Sequence, residues 1–131
     1  MKMKIIVLFL FVFVALSTQD KVDSKYMQIF TDCAKENNIT PEQTEEMKKH
    51  NFPNVPNIKC FFKCCMVKLN TMNADTNAID YDKIIKMEIP GTTTEMRTEI
   101  VNACKNIKNS NGCELAYEFS MCCFKHAPKP K

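Results

Sequence analysis

The sequence predicts an all-α domain of about six helices held together by disulfides. Three observations carry that reading. Beyond the first 17 residues, apolar side chains recur at helical spacing and nowhere alternate at period two long enough to demand a strand. Helix-capping residues and prolines divide the chain into short segments. Eight cysteines follow a leader that reads as an export signal, in a chain of 131 residues that is long enough for one small domain.

The leader is basic at Lys2 and Lys4, then unbroken and apolar from Ile5 to Leu16. Ala15-Leu16-Ser17 offers small residues where a signal peptidase reads. A bilayer span needs roughly 20 apolar residues, so residues 1–17 are expected to be a signal peptide and 18–131 the secreted domain. Removing Lys2 and Lys4 from the 18 basic residues leaves 16 against 15 acidic ones. A near-neutral chain lacks the basic stripe that marks a nucleic-acid partner.

The first helix is expected from Ser24 to Asn37, on the spacing of Tyr26, Ile29, Phe30 and Cys33. Thr40-Pro41-Glu42-Gln43 opens the second: Thr40 caps, Pro41 suits the first helical position and Gln43 closes a capping box. It runs to about Asn51, ahead of Pro53 and Pro56. The third spans Asn57 to Met72, with Lys59, Lys63, Met66 and Asn70 toward water. Phe61, Cys64, Cys65, Leu69 and Met72 face inward, and Lys68 snorkels out of that arc. Asp80 caps a short fourth helix carrying Tyr81, Ile84 and Ile85, stopped by Pro90-Gly91. Thr92 and Glu95 form a capping box for a fifth, bearing Met96, Ile100, Val101, Cys104 and Ile107. After a turn at 109–112, Cys113 opens a sixth: Glu114, Glu118, Met121 and Lys125 face water, and Ala116, Phe119, Ser120 and Cys123 face inward. Ala127 to Lys131 is a short Pro/Lys tail.

The cysteines stand at 33, 60, 64, 65, 104, 113, 122 and 123. An oxidising compartment and a small core both favour disulfides, but eight sulfurs allow 105 pairings. Cys60 and Cys64 lie four apart, on one side of a helix, placed to tie it to two neighbours. The intervals Cys33-x26-Cys60-x3-Cys64-x39-Cys104-x8-Cys113-x8-Cys122 run in order through the whole secreted part. With Lys59-Cys60-Phe61-Phe62-Lys63-Cys64 and Cys113-Glu114-Leu115-Ala116-Tyr117-Glu118-Phe119, they resemble the insect odorant-binding proteins, the pheromone- and general-odorant-binding family.

That resemblance implies the interlocked pairing Cys33–Cys64, Cys60–Cys113 and Cys104–Cys122, each bridge stabilising by roughly 3 kcal/mol in the chain-entropy model. Helices held by sulfur need not fill the space between them, so an apolar cavity becomes tolerable. Cys65 and Cys123 depart from the six-cysteine pattern and suit either a fourth bridge or two buried thiols. If the third and sixth helices run parallel from Cys60–Cys113, the two lie about 7.5 and 15 Å along. That offset plus the helix separation exceeds the reach of about 7 Å between Cα atoms; a large crossing angle or shifted register would reverse this, and an even count favours pairing.

The resemblance further implies a non-catalytic carrier that binds a small hydrophobic molecule, such as an odorant or pheromone, and moves it through extracellular fluid. Such sites are mostly apolar with few orienting polar groups. Helical positions offer Phe61, Leu69, Met72, Ile84, Ile85, Met96, Ile100, Ala116 and Phe119 as lining, each equally at home as ordinary core. Tyr81, Tyr117 and Ser120 are the candidates to hydrogen-bond a ligand's hydroxyl, aldehyde or ester. The partners expected are that ligand and an odorant receptor or other protein, with monomer and homodimer both open. A secreted salivary, venom or reproductive-tract protein using the same scaffold to bind another protein is the alternative.

Enzyme and metal readings fare poorly. Gly91 and Gly112 stand alone, so no phosphate loop or nucleophile elbow exists. Cys122-Cys123-Phe124-Lys125-His126 resembles the start of the secreted phospholipase A2 motif, but Ala127 and Lys129 stand where that family has aspartate and cysteine. His50, expected solvated at a helix end, and His126 lack zinc-ligand spacing, and no cofactor is called for. Asn38-Ile39-Thr40 is a glycosylation sequon, with Thr40 serving equally as a helix cap.

Overall fold

The computed structural model describes residues 24–87 and 92–126. The leader with its cleavage site, the Pro90-Gly91 stop and the tail from Ala127 lie outside the described residues. Six helices follow in order: α1 Ser24–Glu36, α2 Pro41–Lys48, α3 Pro56–Lys68, α4 Tyr81–Lys86, α5 Thr94–Cys104 and α6 Gly112–His126. Among the described residues, extended pairing is limited to one isolated bridge between Met72 and Ile79.

Local chemistry sets the helix starts. Thr40 Oγ1 accepts from the Gln43 amide at 3.0 Å while Gln43 Oε1 accepts from the Thr40 amide, a complete capping box ahead of Pro41. Asp80 caps α4 through the Lys83 amide. The cap of α5 falls one residue later than expected: Thr93, not Thr92, accepts from the Met96 amide, so Glu95 closes no box. Thr92 Oγ1 instead accepts from Arg97 Nη1 at 2.7 Å. At α6, Asn111 Oδ1 accepts from the Glu114 amide, which makes Gly112 the first helical residue. A Cβ at Gly112 would fall against the side-chain ends of Asn77 and Lys63, which would have to shift to admit it.

The ends of α1, α2 and α3 share one device. Asn38, His50 and Asn70 each take a positive φ, of 53°, 66° and 64°. In each case the next amide reaches back five residues: Ile39 to Ala34, Asn51 to Glu46 and Thr71 to Met66. These are Schellman closures with asparagine or histidine where glycine is usual. This closure ends α3 at Lys68 rather than at Met72 as expected, because Thr71 bonds back with both its amide and its hydroxyl. His50 is half-buried rather than solvated, and that burial lowers its pKa.

Helix α3 is the hub. It packs against α1 on one side and α6 on the other, while α5 packs on α4 and α6. Two-sided packing corrects the expectation that Met66 and Lys59 face water. Met66 is 1% exposed, and Lys59, only partly exposed, forms an ion pair with Glu114 of α6. Lys68 does reach outward, pairing with Glu36 of α1 at 3.1 Å.

Disulfides follow the same contacts. Cys33–Cys64 joins α1 to α3, Cys60–Cys113 joins α3 to α6, and Cys104–Cys122 joins α5 to α6. Cys65 and Cys123 are free, buried thiols and form no fourth bridge. Burial raises the pKa of both far above the ordinary 9.0, and for Cys65 nearby Lys68 opposes the rise only weakly.

Three outcomes follow. Replacing Cys60 and Cys113 together by serine opens a loop of 53 residues. It should lower the unfolding free energy by about 4 kcal/mol in a urea titration. The two thiols should resist alkylation in the native oxidised protein and react, two per chain, once it is denatured without reductant. Because their folded pKa is raised, their stabilising contribution is present below pH 9 and falls as pH rises past it. The slope is about 1.4 kcal/mol per pH unit per thiol, and it should vanish in a C65A/C123A variant.

Candidate ligand site

The inner faces of α3 to α6, with the loop after α3, converge on one apolar cluster. Phe61, Met72, Ile84, Ile100, Ala116 and Phe119 are all buried in it. Ile85 packs against the cluster from a half-buried position. Leu69 and Met96 are half-buried and stand off it. For Leu69 the reason is the early end of α3, which makes it the C-cap rather than a residue of the inward stripe.

The Met72–Ile79 bridge holds the loop against the core, and the Asp80 amide donates to the Thr71 carbonyl at 2.8 Å. Within the loop, Asn73 Oδ1 accepts from the amides of Asp75 and Thr76. This places Met72 inside although it lies beyond the helix expected to carry it.

The three hydroxyl candidates part company. Tyr81 Oη donates to the Lys105 carbonyl at 3.1 Å, which locks the start of α4 to the end of α5. Tyr117 Oη donates to the Phe52 carbonyl at 2.8 Å and fixes the segment before α3 against α6. Partial burial raises the pKa of both phenols, and for Tyr117 the Lys59 charge opposes that rise. Ser120 Oγ is buried and has no hydrogen-bond partner.

Other buried residues went unmarked by helical position alone. Phe62 is the centre of an aromatic group, with ring centroids 5.6 Å from Phe52, 5.9 Å from Phe61, 6.0 Å from Tyr117 and 6.4 Å from Phe124. Its place beside Phe61, on a helix packed on two sides, was the available signal. Arg97 is a buried guanidinium at 5% exposure. Its Nε donates to the Ile85 carbonyl at 2.7 Å and its terminal nitrogens to Thr92 and Thr94. A cation at the last carbonyls of α4 complements that helix end, so Arg97 joins α4 to α5. The threonines on either side of Thr93 were its only trace in the sequence.

Among the described residues, Cys104, Cys122 and His126 bring three potential ligand atoms within 4.8 Å of one another. Both sulfurs are bonded to each other in a disulfide, which removes the thiolates a metal would need. No helix of the described residues is long and apolar enough to cross a membrane.

This architecture has close counterparts. General odorant-binding protein 56a of Drosophila melanogaster is 26% identical over 121 residues, covering 89% of this chain and 85% of that protein. The structure of Apis mellifera odorant binding protein 5 superposes with a TM-score of 0.68 at 28% identity, covering 81% of this chain and 88% of that one. Odorant Binding Protein 7 from Anopheles gambiae, which has four disulfide bridges and was solved in complex with an azo compound, gives 0.69 at 24% identity, covering 81% and 85%. The PBP/GOBP family model matches residues 15–126, most of the chain, so the chain belongs to that family of odorant-binding proteins.

Proposed function

We propose that this protein is a secreted, non-catalytic carrier that holds a small hydrophobic molecule within its helical bundle and moves it through aqueous extracellular fluid. The observation that carries this reading is the inner face. Phe61, Met72, Ile84, Ile100, Ala116 and Phe119 come from four helices and a loop to one buried apolar cluster. The similarly folded Anopheles gambiae neighbour was solved in complex with an azo compound. The basic-then-apolar leader over residues 1–17 supports export, and three disulfides suit an oxidising destination.

Binding rather than catalysis matches the chemistry of the lining. Two of its hydroxyls are phenols donating to main-chain carbonyls, and the third, Ser120, has no base within hydrogen-bonding distance to activate it. An aliphatic and aromatic wall selects by shape and apolar contact, with affinity set by the area a ligand removes from water.

Displacement of an apolar fluorescent reporter from the oxidised protein tests the reading, an extrinsic probe being required because the chain has no Trp. Saturable binding in the micromolar range, competed by apolar volatiles or lipids and lost on reduction of the disulfides, is the expected outcome. A folded, fully oxidised protein that binds neither reporter nor competitor overturns the carrier in favour of protein-partner recognition.

A further inference from the structure

Helix α6 presents three kinds of surface around its axis. Cys113, Tyr117 and Phe124 meet α3 and the aromatic group around Phe62. Phe119 and Cys122 meet α4 and α5, through the Tyr81 ring at 5.8 Å and the bridge to Cys104. At about 100° per residue, the arc between these sides carries Ala116, Ser120 and Cys123, and it points to the middle of the bundle. All three are wholly buried, at 0% exposure.

Ser120 stands out on that arc. A serine inside a helix usually satisfies its hydroxyl on the carbonyl four residues back, here that of Ala116. Ser120 Oγ makes no such bond and has no other partner, although it is completely buried. An orphaned buried hydroxyl is costly, and the neighbours on its arc are the small side chains of Ala116 and Cys123. Tyr81 and Tyr117 differ from it, because their hydroxyl hydrogens are already committed to main-chain carbonyls. The buried cation Arg97 is turned to the end of α4 and to Thr92 and Thr94.

We propose that Ser120 Oγ is the polar anchor of the ligand site and that the ligand carries one neutral oxygen head, a hydroxyl or a carbonyl, on an apolar body. This rests on the carrier reading and narrows it. A hydroxyl can donate to a carbonyl or both donate to and accept from an alcohol, so either head completes Ser120. A carboxylate at the same place would be a buried charge facing a single hydroxyl, which is unfavourable.

Competition against a bound reporter with octane, 1-octanol, octanal and octanoate, on the oxidised wild type and on Ser120→Ala, tests the assignment. Removing the hydroxyl should lower the octanol-to-octane and octanal-to-octane affinity ratios about threefold to tenfold, the worth of one net hydrogen bond. Octanoate should compete less well than octanol with the wild type. Far-ultraviolet circular dichroism of the variant, together with retained reporter binding, shows that any change is not loss of fold. Ratios unchanged by the substitution, or octanoate as the tightest competitor, overturn the anchor while leaving the carrier intact. Failure of the wild type to bind the reporter or any of the four overturns both.

Discussion

The constraint on which the structure depends is the double attachment of α3. Cys60 and Cys64 lie one turn apart on its surface and are bonded to Cys113 of α6 and Cys33 of α1. A third bridge then fixes α5 to α6. Four of the six helices thus form a covalent chain, α1 to α3 to α6 to α5. A domain of this size buries too little surface for its core alone to make it secure. Cross-links that limit the unfolded ensemble relax the requirement that every interior volume be filled. Small side chains at Ala116, Ser120 and Cys123 are tolerable in the centre for that reason. Their helix is held by sulfur and by the Lys59–Glu114 pair as well as by the apolar core that Ala116 and Cys123 share.

The two helices outside the covalent chain are secured by polar contacts instead. Asn57, in the first turn of α3, exchanges side-chain hydrogen bonds with Gln43 of α2, which lays α2 across the start of α3. Helix α4 has six residues and could not persist alone. Arg97 bonds its last turn and the Tyr81 hydroxyl bonds its first residue to the end of α5. Three Schellman closures keep the early connections short. With only two glycines in the chain, Asn38, His50 and Asn70 adopt the left-handed conformation at a cost of about 1 kcal/mol or more each. Asparagine bears this best; histidine at position 50 is the most strained choice.

Legibility in the sequence followed the range of the interactions. Caps are local, so Thr40 and Asp80 were readable as helix starts. The pair Thr92-Thr93 offered two equivalent hydroxyls, and only the long reach of Arg97 from the next turn decides which one caps. The end of α3 escaped because Asn70 reads equally well as a wet helical residue or a left-handed stop. Met66 escaped because a single-sided wheel assumes one buried face, whereas α3 has neighbours on two sides. For Cys65 and Cys123 the axial offset argued against a bridge and their even number argued for one; the structure follows the offset. The cysteine pairing itself came from family resemblance, since spacing alone leaves many solutions. Tyr117 could not be resolved from sequence at all: its acceptor, the Phe52 carbonyl, lies 65 residues away.

The division of labour among the polar groups has a consequence for recognition. Three buried or half-buried donors that bond main-chain carbonyls tie one segment to another. Tyr117 holds the approach to α3, Tyr81 the junction of α4 with α5, and Arg97 the end of α4. The tyrosine hydroxyls cannot also donate to a ligand without releasing the segment they hold. In the carrier proposed above, discrimination falls on side chains with no framework duty: the apolar wall, which reads shape, and the few polar atoms left over. An apolar wall separates ligands that differ by a methylene only weakly, by about 1–3 kcal/mol. A site built this way tolerates a family of related skeletons and becomes selective only where a polar atom inside it asks for a partner.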